Sequence, residues 1–317
     1  MTKRNILSVL FAGLLASSCS GPEVRLEKID PYAVSQISIE EEALADLPDL
    51  FAPPLHLLND TLLCLLNQQD ASSIRIFQTT GKEMNQYTLK KKDTAIVISP
   101  DENLQARLKY LNPANNVYYE LAVDRGEMSP KEAFKVGDKL FVGLGPYLKG
   151  LLSVFDKDKQ SKEINFFGNY PVAGTEYQYQ EYLDYFQGHL ARRDNQFIYA
   201  STYFGYIASY SYENERLTKQ WEKQTSDFLY QRVNNRIEFD NLHHEGFGCI
   251  TAGKEHIYAF SQYLSEKQMK ENGILVFDKS GKLLSCLRIK NPVVYLVTDS
   301  REENLYAVSY DIEEQHL

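Results

Sequence analysis

The stretch Ile274-Leu275-Val276-Phe277-Asp278-Lys279-Ser280-Gly281-Lys282 decides how this chain is read. Four apolar residues end on an Asp-Lys-Ser-Gly-Lys turn, and Leu283 to Ile289 follows as a second extended run. Strand, tight polar turn, strand is the signature of a β-hairpin, because Gly and Asp accept the turn backbone while the flanking residues prefer a pleated surface. Just upstream lies Glu255-His256-Ile257-Tyr258-Ala259-Phe260-Ser261, and just downstream Glu303-Asn304-Leu305-Tyr306-Ala307-Val308-Ser309. These two phrases nearly superimpose on each other and on Asn195-Gln196-Phe197-Ile198-Tyr199-Ala200-Ser201.

Working outward, the same pair of phrases recurs through the chain. The first phrase also appears as Asp60 to Leu65 and as Asp138 to Gly143; the hairpin phrase appears as Ile74 to Phe77, Leu152 to Lys157 and Ile207 to Tyr210. Several short strands per unit, repeating every few tens of residues, point to propeller blades, whose two apolar faces must stack on neighbours. Five units are visible. The interval between Leu62 and Leu140 leaves room for a degenerate sixth, drawing on Ala95 to Ile98 and Val117 to Leu121. The expected fold is therefore all-β: a β-propeller of six four-stranded blades, with five as the alternative. The chain stops just after the last copy of the first phrase, so Val24 to Ile39 is expected to close the ring by adding a strand to that last blade, which would leave no bare edge; a truncated sequence is the alternative. Glu40-Glu41-Glu42 before Ala43-Leu44 suggests a short helix between anchor and propeller.

The N-terminus reads as an address. Lys3 and Arg4 precede the apolar run Ile6 to Ala16, and Ala16-Ser17-Ser18 leads to Cys19. A run of this length is too short to span a hydrocarbon core, which takes about 20 residues, and it suits a cleaved signal. The small residues ending on a cysteine are similar to a bacterial lipobox, with Ala16 where leucine is usual; ordinary secretory cleavage near Ser18 is the alternative. Residues 1–18 are expected as a lipoprotein signal peptide, 19–36 as the lipidated N-terminus and linker or closing strand, and 37–317 as the propeller. Two or three acyl chains, such as palmitate, hold a protein firmly at a membrane, at about 0.8 kcal/mol per buried methylene.

Formal net charge is −9, and removing residues 1–18 deletes two bases and no acid. An acidic surface repels nucleic acid, so no nucleic-acid partner is expected. Of the four cysteines, Cys64, Cys249 and Cys286 lie in apolar runs, and whether Cys249 and Cys286 pair stays open. No Cys/His spacing suggests zinc; no metal, cofactor or catalytic residue is expected.

The chain resembles the TolB-like six-bladed propeller lipoproteins of Gram-negative envelopes. The residues that carry the resemblance are the lipobox-like end at Cys19, the run Ile274 to Lys282, and Asn304 to Ser309. It implies a lipid-anchored protein of the cell envelope, at the outer membrane, and says little of chemistry. The function expected is a binding or scaffolding module for an envelope protein complex or a glycan or peptide ligand. The alternative is a hydrolase or lyase acting on glycans at the ring's centre. Candidate ligand-binding residues are Tyr203, Tyr206, His243, His244 and Tyr263, because loop tyrosines make rigid amphipathic contacts and His243-His244-Glu245 is the densest ionisable cluster. The tyrosine-rich run Tyr177 to Phe186 is a second candidate platform. Blade packing and ordinary loop histidines are the competing readings of all of these.

Overall fold

The computed structural model describes residues 24–44, 55–58, 60–66, 73–80, 83–88, 97–100, 106–112, 117–122, 132–137, 140–145, 147, 149–156, 165–170, 186–225, 230–234, 236–239, 246–264 and 270–309. Two short strands come first, β1 (Leu26–Lys28) and β2 (Ser35–Ser38). Among the described residues six sheets and a separate hairpin then follow in chain order. The first holds β3 (Leu55–Leu58), β4 (Leu62–Leu66), β5 (Ser73–Gln78) and β6 (Glu83–Thr88); the second β7 (Val97–Pro100), β8 (Ala106–Asn112) and β9 (Val117–Ala122). The third holds β10 (Glu132–Lys135), β11 (Leu140–Leu144), β12 (Leu152–Asp156) and β13 (Asn165–Phe167). The fourth holds β14 (Gly188–Arg193), β15 (Gln196–Ser201), β16 (Tyr206–Glu213) and β17 (Arg216–Gln224), and a separate hairpin, β18 (Tyr230–Val233) with β19 (Arg236–Phe239), comes after it. The fifth holds β20 (Phe247–Ala252), β21 (His256–Leu264), β22 (Lys270–Asp278) and β23 (Leu283–Ile289), and the sixth β24 (Val293–Thr298) and β25 (Leu305–Ser309). The degenerate unit expected between Leu62 and Leu140 is thus the second sheet.

Period-2 alternation explains how the sheets stack. Along β15, Phe197 and Tyr199 enter one core with Val142, Leu144, Leu152 and Val154 of the third sheet. The residues between and after them, Ile198 and Ala200, enter another core with Ile257, Ala259, Leu275 and Phe277 of the fifth. The fifth sheet in turn offers Cys249, Tyr258, Phe260, Ile274 and Val276 to Val293 and Leu296 of the sixth. The sixth offers Val308 to Leu55, Leu63, Leu65 and Phe77 of the first. First strands touch in the same order: β7 on β10, β10 on β14, β14 on β20, β20 on β24, and β24 on β3. Sheets in radial succession, with the last against the first, make a β-propeller. Each fully buried aromatic here contributes about 1.5–3 kcal/mol of apolar burial, which is why the two middle strands of a blade read as continuous apolar runs.

The segment expected to close the ring lies elsewhere. β1 pairs in parallel with β17, Leu26 opposite Glu222, and β2 pairs in parallel with β23, Ile37 opposite Leu287. Among the described residues neither pairs with β24 or β25. The reason is the spacing of Ile29, Tyr32 and Val34, which fill the gap between the fourth and fifth sheets beside Trp221 and Leu283. The linking turn is fixed by Asp30, whose side chain accepts from the Tyr32 N–H at 2.9 Å and whose carbonyl accepts from Ala33 at 3.1 Å. Burial, then the nearby Glu271, push the Tyr32 hydroxyl up to about 12. Residues 40–44, expected as a helix, are irregular: the Glu41 side chain accepts from the Lys290 N–H at 2.6 Å, and Leu44 packs on the core between the sixth and first sheets.

Cys249 and Cys286 are both buried and are not joined in a disulfide. They belong to cores on opposite faces of the fifth sheet, so its thickness keeps their sulfurs apart.

Candidate functional site

In a meander, successive turns alternate between the two ends of the blade, so the propeller has two chemically distinct ends. One carries the turn joining first to second strands. It is polar, and its turns bond to one another across blade boundaries. The other carries the starts of the first strands and the turns joining second to third strands.

At the first end, the turn between β24 and β25 reaches both ways. Ser300 donates through its N–H to Asp60 Oδ1 at 2.8 Å and through its hydroxyl to the same carboxylate, linking the sixth sheet to the first. Glu302 reaches back to the fifth. Its carboxylate accepts from the N–H of Glu255 and of His256, from the Tyr258 hydroxyl at 3.1 Å, and from His256 Nδ1 at 2.6 Å. The Glu302 side chain is only 7% exposed. Burial alone would raise its carboxyl, but the Glu255 N–H and the His256 and Tyr258 side chains outweigh that and hold it below the ordinary glutamate value. Asp299 is likewise raised by burial and more than compensated by Asn304 and the N–H groups of Glu303 and Arg301, which shape the turn. Gly253 leaves room for this carboxylate, since a Cβ there would meet Glu302 Oε1 at 2.5 Å.

At the second end, Glu132 on β10 accepts from the Leu190 N–H of β14 at 2.6 Å, with His189 Nδ1 3.5 Å from its other oxygen. Both residues sit on first strands, nearest the axis. Both Glu–His pairs therefore cross a blade boundary with the carboxylate engaged by backbone N–H groups. A carboxylate occupied in this way holds two sheets together and is poorly placed to take up a substrate proton.

Tyr203 is on the second end, in the turn Thr202 to Gly205 between β15 and β16, and is 37% exposed. Beneath it Phe204 is fully buried and stacks on Phe186, ring centroids 5.5 Å apart. Thr202 donates to the Gln187 carbonyl at 3.0 Å, and the Gly246 N–H donates to the Thr202 carbonyl at 2.8 Å. Glycine is needed at 246, because a Cβ would lie 2.1 Å from the Ser201 carbonyl oxygen and 2.4 Å from that of Phe204. The sequence His243-His244-Glu245-Gly246 is thus tied at its last residue to the tyrosine turn.

The other candidates fall differently. Tyr206 opens β16 in the core, 1% exposed, its hydroxyl donating to Glu222 at 2.7 Å. Burial first, then Tyr210 and Glu222, push that hydroxyl far above the ordinary tyrosine value. Tyr263 is in β21, opposite Glu271 of β22. Cys19, His243, His244 and the run 177–185 lie outside the described residues; Phe186 is buried. Sequence reading missed Glu302 and Glu132, which look like ordinary surface acids. The nearest signal is position: Glu302 directly precedes a copy of the repeat phrase, and Glu132 lies on the strand before one. Among the described residues no group of three or more His, Cys, Asp or Glu is placed to hold a metal ion, and no helix is long and apolar enough to cross a membrane.

No protein-family model matches this chain, and no curated protein does. Solved structures do. A Bacteroides fragilis protein designated as exported is 12% identical, with 87% of this chain and 88% of that one covered at a TM-score of 0.51. The β-propeller domain of Myceliophteria thermophila Cps50 is 9% identical, covering 82% and 94% at a TM-score of 0.42. BamB from Moraxella catarrhalis is 13% identical, covering 81% and 66% at a TM-score of 0.35. At these identities the first likeness speaks to the fold alone, and the other two carry no argument.

Proposed function

We propose that this chain is an acylated protein of the cell envelope whose propeller, of six blades, serves as a binding or scaffolding module. A partner protein or a glycan or peptide ligand docks on the end that carries Tyr203. One observation carries the reading: Tyr203 is presented on a turn backed by Phe204 and Phe186 and pinned by the Gly246 N–H. A rigid tyrosine loses little conformational freedom on binding and buries a large amphipathic area, which is what anchors an interface. The described Glu–His pairs are engaged by hydrogen bonds across blade boundaries, which favours binding over glycan hydrolysis or elimination. Acylation of Cys19 and residence at the outer membrane are part of the same proposal, supported by the signal-like residues 1–18.

The test is affinity capture of the tagged full-length protein from detergent-solubilised envelopes, with mass spectrometry of what co-purifies, for the native chain and for Tyr203→Ala. A stoichiometric protein recovered with the native chain and depleted about tenfold or more with the variant supports docking at this end. Equal recovery by both would move the site off this end. Recovery of the protein alone would turn attention to a small ligand.

A further inference from the structure

We propose that the propeller meets the lipid bilayer through the rim of its fourth and fifth sheets, where β1 and β2 lie, and turns the end bearing Tyr203 away from it. This rests on acylation of Cys19.

Three observations support it. The first is reach. Val24, the first described residue, stands five positions after Cys19, and an extended chain of that length spans at most about 18 Å. Val24 stands two residues before Leu26, on the outer edge of the fourth sheet, so the acylated residue cannot lie far from this rim. The second is direction. β17 leaves the turn Asn214–Glu215, on the polar end, and runs toward the Tyr203 end, where Thr225 donates to the Gly205 carbonyl at 2.6 Å. β1 is parallel to β17 and its last residues lie opposite Lys223 and Gln224. Traced backward from Leu26 to Val24, the chain therefore heads away from Tyr203.

The third is surface chemistry. Among the side chains whose exposure the structure describes, four large apolar ones are notably exposed: Leu26 (43%), Ile37 (44%), Leu284 (37%) and Tyr203. Three of the four lie on β1, on β2 or on β23, the strand that β2 covers. Single exposed apolar residues are ordinary on any protein; three together on the rim beside the anchor are what marks it. Apolar side chains at the level of the headgroups add to acyl anchoring without needing anionic lipid, which suits a chain of net negative charge. The strap is also firmly seated: Tyr32 and Val34 are packed in the core beside Trp221, and Lys223, 8% exposed, pairs with Glu27. A tether fixed along two sheets holds orientation, where a loose one would not.

Trp221, the only tryptophan of the chain, offers the probe. The acylated full-length protein is reconstituted into vesicles of phosphatidylethanolamine and phosphatidylglycerol with and without lipids brominated near the headgroup. Three variants move the fluorophore in a Trp221→Phe background: Leu26→Trp on the rim, Tyr203→Trp on the far end, and Thr80→Trp in the first sheet. At least twofold quenching at position 26, with positions 80 and 203 unchanged, is the expected result. Quenching at 80 or 203 as strong as at 26, or none at 26 in protein that floats with the vesicles, overturns the proposal alone. A native protein that does not float, or a Cys19→Ala variant that floats equally well, overturns the acylation reading and this proposal with it. Hydrogen exchange over residues 24–38 of the unmutated tryptophan chain, with and without vesicles, guards against misfolding of the Trp221→Phe background. Slower exchange on vesicles is expected, and unchanged exchange counts against the rim.

Discussion

The fourth and fifth sheets carry five strands each, the outermost supplied by the N-terminal segment, whereas the sixth shows two strands among the described residues. Both regions grow from the same phrase, QFIYAS in β15 and LYAVS in β25. β15 is buried almost throughout, while β25 keeps Ala307 and Ser309 exposed. The strapped pair is held by apolar burial on both faces of its middle strands. The sixth sheet relies more on one polar turn, Asp299 to Asn304, clipped to Asp60 on one side and to Glu255, His256 and Tyr258 on the other. The contrast teaches that a repeated strand phrase sets a blade's inner part, and that its neighbours decide how it is secured.

The strongest way to break this contrast is to cut into the strapped pair. Phe277 is fully buried and packs at 6.5 Å on Trp221. Phe277→Ala should cost about 3–5 kcal/mol, as deletion of a buried aromatic ring does, and should lower the midpoint of global unfolding followed by Trp221 fluorescence. An unchanged midpoint would mean that this interface contributes little.

Next comes the clip. Glu302→Ala removes the charged acceptor shared by the Glu255 and His256 N–H groups and the Tyr258 hydroxyl and should cost about 1–3 kcal/mol. The loss should be local: amides of β24 and β25 exchange faster while those of β15 and β16 keep their protection. Uniform acceleration would show that the sixth sheet unfolds only with the rest.

Acid should reproduce part of that effect. Glu302 has a folded-state pKa below the ordinary 4.5 and Asp299 one below 3.8. The stability they confer is complete above those unfolded values and is lost as pH falls through the lower folded ones. Protection of the β24 and β25 amides, taken relative to the intrinsic exchange rate at each pH, should therefore fall below about pH 4, and the Glu302→Ala variant should show a shallower fall. Smallest of all, Asp60→Ala removes solvent-exposed bonds to Ser300 and should cost about 0.5–1.5 kcal/mol, seen as faster exchange near the sixth-to-first boundary.

Much of the blade architecture was legible in the repeat. Alternation in Phe197-Ile198-Tyr199-Ala200 foretells a strand with two buried faces, and Asp278-Lys279-Ser280-Gly281 foretells its hairpin, with Gly281 at φ +78° beside Trp221. The candidate tyrosines could not be sorted in that way. Tyr203 and Tyr206 are three residues apart, one exposed on a turn and one in the core, and only the position of β16 separates them. Nor could the closing strand: an apolar alternation such as Val24 to Ile39 says that a segment will pair with some edge, and not with which.

By itself, the sequence determined an all-β chain of repeating hairpins, because residue-level alternation and turn chemistry act over a few residues and are written in order. Tertiary structure alone decided that β1 and β2 cover the fourth and fifth sheets, that Cys249 and Cys286 face opposite cores, and that Glu302 and Glu132 join neighbouring blades. Those outcomes depend on which edges, cavities and unpaired N–H groups stand within reach once the sheets have stacked around the axis, and that proximity joins residues tens to hundreds of positions apart.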